Sequence, residues 1–510
     1  MSWQTLILGA LGFWLVKRIV LTIYRLYFHP LARFPGPPLA RASTFYQFWC
    51  EMILPGVFNT RTFDELHPKF GPIVRTGPNR LHFSDPAVFH QIHYTGSPFP
   101  KDPAIYGTIG PQGDLFSLVD PKEHRQRRKM LSPMFSRSQI LKVEPMVRNK
   151  VGILLDRIDA IIDGNDQIGG RKEGEFGWIS MQKPFQAMVA DIVMEFTLFQ
   201  SYNALSEPNF ENPLIIALFT ITTTNRLFRH FPLLFKLPQY LPLWLVNRLS
   251  PVAFELANWQ VQLRKHLQTQ LALIETQKFH KRSYNVLLSS VLDQYPSDLN
   301  LLTKECTSIV IAGIVTTPLI LTHTLYRLAL DPTLQARLLA ELKSALPTLT
   351  TELDLQIIEK LPLLRATLLE SLRLAYGIVA PLSRLTPPAG ATLAGQPIPP
   401  GTAVDISCYA IHHNEELFPD SFTFNPERWM QGEKSKRLEK YIVSFGGGSR
   451  ACLGMQLAWG ELYLAVAGVV RRFEVTTTRE VQEGGWEWED QWSAEGRGVE
   501  KVFGFRRRGE

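Results

Sequence analysis

A cysteine set among glycines constrains this chain more than any other feature. Phe445-Gly446-Gly447-Gly448-Ser449-Arg450-Ala451-Cys452-Leu453-Gly454 leads into an apolar stretch, Met455 to Val470, whose pattern predicts a helix. A cysteine in a glycine-rich loop that opens onto a helix meets free backbone N–H groups and the positive end of a helix dipole. Such surroundings favour a thiolate. The glycines let backbone approach a flat partner closely. Arg450 brings a fixed positive charge suited to a carboxylate. The other cysteines, Cys50, Cys306 and Cys408, are far apart and lack CxxC spacing, so neither a disulfide framework nor a zinc site is suggested.

A thiolate, an adjacent cation and a clear flat face together describe a haem-iron ligand, with Cys452 on the metal and Arg450 on a propionate. A buried structural cysteine is the plainer alternative. At the other end of the chain, Leu6 to Val16 is apolar, Lys17 and Arg18 interrupt, and Ile19 to Ile23 resumes. Trp3 to Tyr24 is long enough to span a bilayer, which takes about 20 residues, if the two basic side chains snorkel. Lys17, Arg18 and Arg25 follow the apolar run and nothing basic precedes it, so the bulk of the chain is expected on the cytoplasmic side. A buried core helix and a cleaved signal peptide are the alternatives to this single-pass anchor over residues 1–28. Residues 29–38 carry Pro30, Pro35, Pro37 and Pro38 and read as a stiff neck.

Residues 39–510 then form the body. Ile73–Arg75 and Leu81–Phe83 are strand candidates around the turn Gly77-Pro78-Asn79. Helical patterns cover about 121–150, 251–280, 301–330 and 332–346, and short strands are expected over Ala391–Ser407 with Pro399-Pro400-Gly401 as their turn. Residues 483–510, rich in Trp, Gly and charge, fit no pattern. Helices dominate without βαβ alternation, which excludes Rossmann and barrel folds and leaves a mainly α fold with a minor β-sheet. The net charge of +7 suits a membrane surface or an acidic protein partner and is too small to argue for nucleic acid.

The cysteine loop matches F-x-x-G-x-R-x-C-x-G at every fixed position, and there the chain resembles the cytochrome P-450 family. Glu370-Ser371-Leu372-Arg373 is similar to the family's E-x-x-R, and Phe424-Asn425-Pro426-Glu427-Arg428-Trp429 to the segment whose arginine joins that pair. The resemblance implies a buried structural triad of Glu370, Arg373 and Arg428. It assigns His124, Arg128, Arg384 and Arg450 to the haem propionates. The neck and Phe70-Gly71-Pro72-Ile73-Val74-Arg75 look like fungal members, the trichodiene-oxygenase-like set in particular. The resemblance therefore implies the cytochrome P-450 fold around a buried haem b, iron protoporphyrin IX. It also implies an endoplasmic-reticulum anchor and electrons from NADPH through a cytochrome P-450 reductase, docked near Arg125, Arg127 and Lys129. The expected reaction is hydroxylation or epoxidation of a lipophilic terpenoid or polyketide intermediate in fungal secondary metabolism. By analogy Phe99, Ile105, Tyr106, Phe116, Ala312, Val315, Ile378 and Val379 contact the substrate.

One position departs from the family. Ala312-Gly313-Ile314-Val315-Thr316-Thr317 resembles its oxygen-activation segment, but Val315 stands where an acid is usual. Thr316 keeps the hydroxyl that the resemblance assigns to proton relay. Pro318 removes an N–H that would bond the Ile314 carbonyl, so a local opening of this helix is expected. Val315 keeps two other readings in view: a haem-thiolate isomerase or dehydratase without net oxygen insertion, and a haem-binding protein without turnover.

Overall fold

In the computed structural model, residues 3–54, 58–165, 170–198, 200–236, 240–275 and 298–509 are described. Trp3–Ile23 is one helix with no buried residue, continued by a π-helical turn, Tyr24–Phe28. The helix Leu299–Leu330 is also long and apolar enough to cross a membrane, yet most of it is buried inside the protein. The neck departs from a free spacer. Leu31 and Phe34 are buried against Ile73, Leu81 and Phe83, and Pro38 opens the helix Pro38–Ala42. Two large apolar side chains outweigh the stiffness of the prolines and draw the neck onto the body.

Asp-Pro dipeptides start four helices. Asp85, Asp102, Asp120 and Asp331 each accept an N–H of the first turn, with proline next in line. Proline at the first helical position loses an N–H that has no helical partner anyway, and aspartate satisfies one that would be orphaned. The pattern expected as one helix over 121–150 divides: helix Pro121–Leu131, a 3₁₀ turn Ser132–Phe135, then helix Arg137–Ile162. Pro133 cannot donate to the carbonyl four residues back, which loosens the turn, and the chain leaves helical geometry at Ser136, with φ −66 and ψ 151. Pro318, by contrast, sits inside Leu299–Leu330 without ending it; having no N–H, it cannot donate to the Ile314 carbonyl. The next helix is Pro332–Ala345. The earlier pattern gives Pro251–Glu275, and its last positions, 276–280, lie outside the described residues.

Ile73–Gly77 and Arg80–Phe83 pair antiparallel, Ile73 opposite Phe83. Arg80–Phe83 runs parallel to Ala403–Asp405, which pairs antiparallel with Arg384–Leu385. The hairpin turn between Ala391–Leu393 and Gln396–Ile398 is Ala394-Gly395, both at positive φ, and Pro399-Pro400-Gly401 makes a second turn, with Gly401 at φ +68, leading to Ala403. The unplaced C-terminal segment forms the hairpin Glu487–Asp490 with Ala494–Arg497. Its last strand, Val502–Arg507, lies between Phe176–Ser180 and Phe473–Thr477.

The core gathers on Leu299–Leu330, which packs against Gln182–Leu198, Met455–Arg472, Pro362–Ala375 and Pro251–Glu275. At Gly313 the backbone comes close to its neighbour: an added Cβ would lie 2.6 Å from a Val193 methyl. This central helix carries Ala312, Val315 and Thr316 into the interior, and Met455–Arg472 follows directly from the cysteine loop.

Candidate active site

The glycine loop is held against protein on one side. Cys452 N–H donates to the Phe445 carbonyl at 2.7 Å. Gly448 has φ +60, and a Cβ there would lie 2.4 Å from the Tyr94 carbonyl; one on Gly447 would meet Phe89 at 2.9 Å and the His93 carbonyl at 3.0 Å. These glycines are required by the Phe89 ring and the backbone of His93 and Tyr94, whatever else the loop approaches. Met455–Arg472 begins three residues beyond the cysteine. Burial pushes the Cys452 thiol up, while the Gly454 N–H and Arg128 pull it down. The expected ease of ionisation is therefore only part of the balance at this sulfur.

Cys452 opens onto an internal cavity of about 330 Å³. Thr316, Ala312 and Val315 from the central helix line the same space, with Tyr106, Phe116 and Ile378. Three of the expected substrate contacts are elsewhere. Phe99 packs with the neck and the first sheet. Ile105 faces a separate small polar pocket. Val379 is buried beside Tyr376 and Ile406. The Thr316 hydroxyl rests on the Ala312 carbonyl at 3.3 Å. Val315 presents only methyl groups.

Five basic side chains line one region of this cavity: Lys101, His124, Arg128, Arg384 and Arg450. Among the described residues the lysine and the arginines bond to carbonyls and one phenol, not to carboxylates. Arg128 donates to Ala451. Arg450 donates to Leu118 and Val119. Arg384 donates to Leu382, Ser383 and the Tyr106 hydroxyl. Lys101 donates to Phe116 and lies over the rings of Tyr106 and Phe116. Burial, then repulsion by Arg384 and Arg450, drives the Lys101 ammonium well below the usual lysine range. Burial also lowers Arg450 to about 10, and His124 to about 2 with Arg450 adding to the fall. Buried cations without anions are costly, so this wall fits a ligand bearing carboxylates, and the adjacent thiol fits its metal. Haem has both, and the donor set agrees with it. Lys101 was missed in the sequence; the signal was a lysine between Pro100 and Asp102 in an otherwise apolar approach.

Arg127 is not on the outer basic face. It turns inward to Glu305, buried on the central helix, at 2.5 Å, leaving Arg125 and Lys129 exposed. Glu305 also accepts the Leu115 N–H, and burial with the nearby Asp114 charge pushes its carboxyl up to about 7.

Glu370, Arg373 and Arg428 do meet. Glu370 accepts from Arg373 at 2.8 and 3.0 Å, Arg428 at 3.0 Å, the Trp429 indole at 2.8 Å and the Asn425 N–H at 2.9 Å. Arg373 spends its other donors on the carbonyls of His412, Ser421 and Thr423. Glu370 and Arg373 are both fully buried.

Two further residues of the cavity wall escaped sequence reasoning. Glu461, on Met455–Arg472, is buried with one carboxylate oxygen unpartnered among the described residues. Burial pushes its carboxyl up to about 8, and the Thr317 hydroxyl only partly offsets this. Nine residues past Cys452, an acid in an apolar helix was the available signal. Trp492, in the unplaced segment, has φ +111, and its carbonyl accepts the N–H groups of Val379 and Ala380. That strained backbone sets its ring edge-on to Tyr106 and Phe116.

The family model described as cytochrome P-450 matches residues 35–485. A cytochrome P-450 monooxygenase of Penicillium terrestre is 32% identical over 94% of this chain and 94% of its own length. The conidiogenone synthase of Penicillium rubens is 31% identical, covering 89% of each chain. A tryptophan 6-hydroxylase of Fusarium equiseti is 30% identical over 89% of this chain and 87% of its own. This chain belongs to the cytochrome P-450 family, a mainly helical fold that holds haem.

Proposed function

We propose that this chain is a haem-thiolate monooxygenase that hydroxylates or epoxidises a lipophilic small molecule of fungal secondary metabolism. The observation that carries this is the convergence of Cys452, five basic groups (three buried, Arg128 and Arg450 half-buried) and Thr316 on one largely apolar cavity. Relatives named as monooxygenases, a hydroxylase and a synthase support it, and no feature of the site favours an isomerase, a dehydratase or a non-catalytic role. Cys452 would bind the iron of haem b, and Lys101, His124, Arg128, Arg384 and Arg450 would hold its carboxylates. When bound, haem supplies O₂ activation, one oxygen atom going to substrate and the other to water.

The protein's own part is placement and protons. Tyr106, Phe116, Ala312, Val315 and Ile378 would hold an apolar substrate and exclude water. Val315 cannot carry a proton. Thr316 keeps a hydroxyl at the cavity, and the Glu461–Thr317 pair beside it offers a carboxylic acid protonated at neutral pH. We assign proton supply to that acid and to Thr316. Electrons would come from NADPH through a cytochrome P-450 reductase, with Arg125 and Lys129 facing it. Residues 1–28 would anchor the protein in the endoplasmic reticulum with the body cytoplasmic.

The test is product formed, with NADPH and O₂ consumed, by the full chain with a reductase and candidate precursors. The reduced protein under carbon monoxide should show the absorption of a thiolate-ligated haem, and Cys452→Ala should abolish it. Turnover without NADPH or O₂ would replace this reading with an isomerase or dehydratase.

A further inference from the structure

Residues 1–50 contain no aspartate or glutamate, but do contain Lys17, Arg18, Arg25, Arg33 and Arg41. Three arginines converge where the apolar N-terminal helix meets the body. Arg25 donates to the Ala42 carbonyl at 2.8 Å. Arg41 reaches back across the same junction to the carbonyls of Leu26 at 2.8 Å and Ala32 at 3.2 Å. Arg75, fully buried in the first sheet, donates to Arg25 O at 2.8 Å and Pro78 O at 2.6 Å. Every one of these acceptors is a neutral carbonyl. The Nε atoms of Arg41 and Arg75 are buried without a partner among the described residues. The nearest acid along the chain, Glu51, is already bonded to Arg229 and His230. Burial, with Arg41 and Arg25 adding repulsion, pushes Arg75 down to about 10.

The clamp ties the end of the apolar helix to the body, and it leaves an excess of positive charge at one depth. On either side of it the surface is apolar and open: Tyr27 and Phe28 are 71% and 72% exposed, and Leu39 and Phe45 are about half exposed. Aromatic and apolar side chains beside half-buried arginines, at the end of a membrane-length helix, match the level where lipid phosphates lie. We infer that this junction binds the headgroup of an anionic phospholipid, its phosphate meeting Arg25 and Arg41 and balancing the buried Arg75 behind them. The inference rests on the reading of residues 1–28 as an anchor.

The test uses the full-length holoenzyme in phosphatidylcholine bilayer discs, with spin-labelled phosphatidylserine or spin-labelled phosphatidylcholine as probe. The motionally restricted fraction of each label reports association with the protein. The wild type should hold phosphatidylserine in preference, and Arg25→Gln or Arg41→Gln should lower that preference roughly fivefold each. Arg41→Lys, which keeps the charge but not the fork of bonds to carbonyls, should retain most of it. Equal restriction of the two labels by a wild type that resists carbonate extraction overturns this inference alone. Loss of the preference in Arg41→Lys as well would reassign these arginines to the carbonyl clamp. Wild type washed off by carbonate overturns the anchor and this inference together. Abolition of the preference by inorganic phosphate would assign the site to a free anion instead of a lipid.

Discussion

Replacing Glu461 by glutamine tests whether the cavity wall holds a protonated acid. Burial raises this carboxyl from 4.5 to about 8 in the folded chain. Above pH 4.5 the unfolded chain has released the proton while the native one keeps it. The unfolded state thus binds fewer protons, and stability falls as pH rises, until near pH 8 the native carboxyl ionises too. At pH 7 the interval is about 2.5 units at about 1.4 kcal/mol each, or on the order of 3 kcal/mol. Glutamine keeps the shape and cannot titrate. Glu461→Gln should match wild type near pH 5 and exceed it by up to about 3 kcal/mol at pH 7 to 8. Glu305 and Asp490, raised to about 7 and about 6, add pH dependence common to both proteins, so the difference isolates Glu461. The assay is urea unfolding of the haem-loaded protein across that range. Parallel profiles would refute the argument. The same variant should form less product per NADPH and more hydrogen peroxide, because the stored proton is gone.

Glu370→Ala strands two buried arginines and should cost about 3–5 kcal/mol, leaving little haem-loaded protein; a haem-replete, stable variant would count against a structural role. Thr316→Ala should lower coupled product formation on the order of 10²-fold and divert electrons to peroxide, while Val315→Asp in the same background restores part of it; unchanged coupling in Thr316→Ala removes Thr316 from proton supply. Gly448→Ala sets a Cβ 2.4 Å from the Tyr94 backbone at φ +60 and should lower the melting temperature and haem content together. Removing residues 1–28 should free the protein from membranes with haem retained, checked by carbonate extraction and the haem spectrum; membrane-bound truncated protein would locate the attachment elsewhere.

The parts of the fold that were legible are those written in local chemistry. Phe445–Gly454, Glu370 with Arg373, and the apolar N-terminal helix each announce themselves within ten to twenty residues, and the structure has them where the pattern points. The Asp-Pro starts are equally local, since cap and proline act on the next turn alone. What could not be read depends on partners distant in sequence. Arg127 resembles its exposed neighbours until Glu305, 178 residues on, turns it inward. Leu31 and Phe34 make the neck part of the body only because strands at 73–83 wait for them. Trp492 reaches the cavity through a strained backbone tied to Val379 and Ala380, which no periodicity encodes. Pro318 shows the opposite limit: a residue that ends many helices sits inside Leu299–Leu330, which packing on several sides keeps continuous, as the apolar pattern over 301–330 indicates.

The charges around the cavity are distributed with a sense. At one region five basic groups, three buried and two half-buried, have only neutral acceptors among the described residues, and the cost is visible in how far Lys101, His124 and Arg450 are pushed from their ordinary values. Elsewhere on the wall stand two acids: Glu305, paired with Arg127, and Glu461, which has no cation beside it and keeps its proton. An apolar ligand would leave the basic region as it is. A dianionic one would pair with it, and every pairing would lower the free energy of the folded state without touching the unfolded chain. On the proposed haem contacts, cofactor binding and folding would be coupled through Lys101, Arg128, Arg384 and Arg450, and Glu461 would stand outside that coupling because it is neutral. This separates two kinds of variant: those at the basic groups should lose haem before they lose turnover per haem, whereas Glu461→Gln and Thr316→Ala should keep haem and lose the match between electrons consumed and product formed.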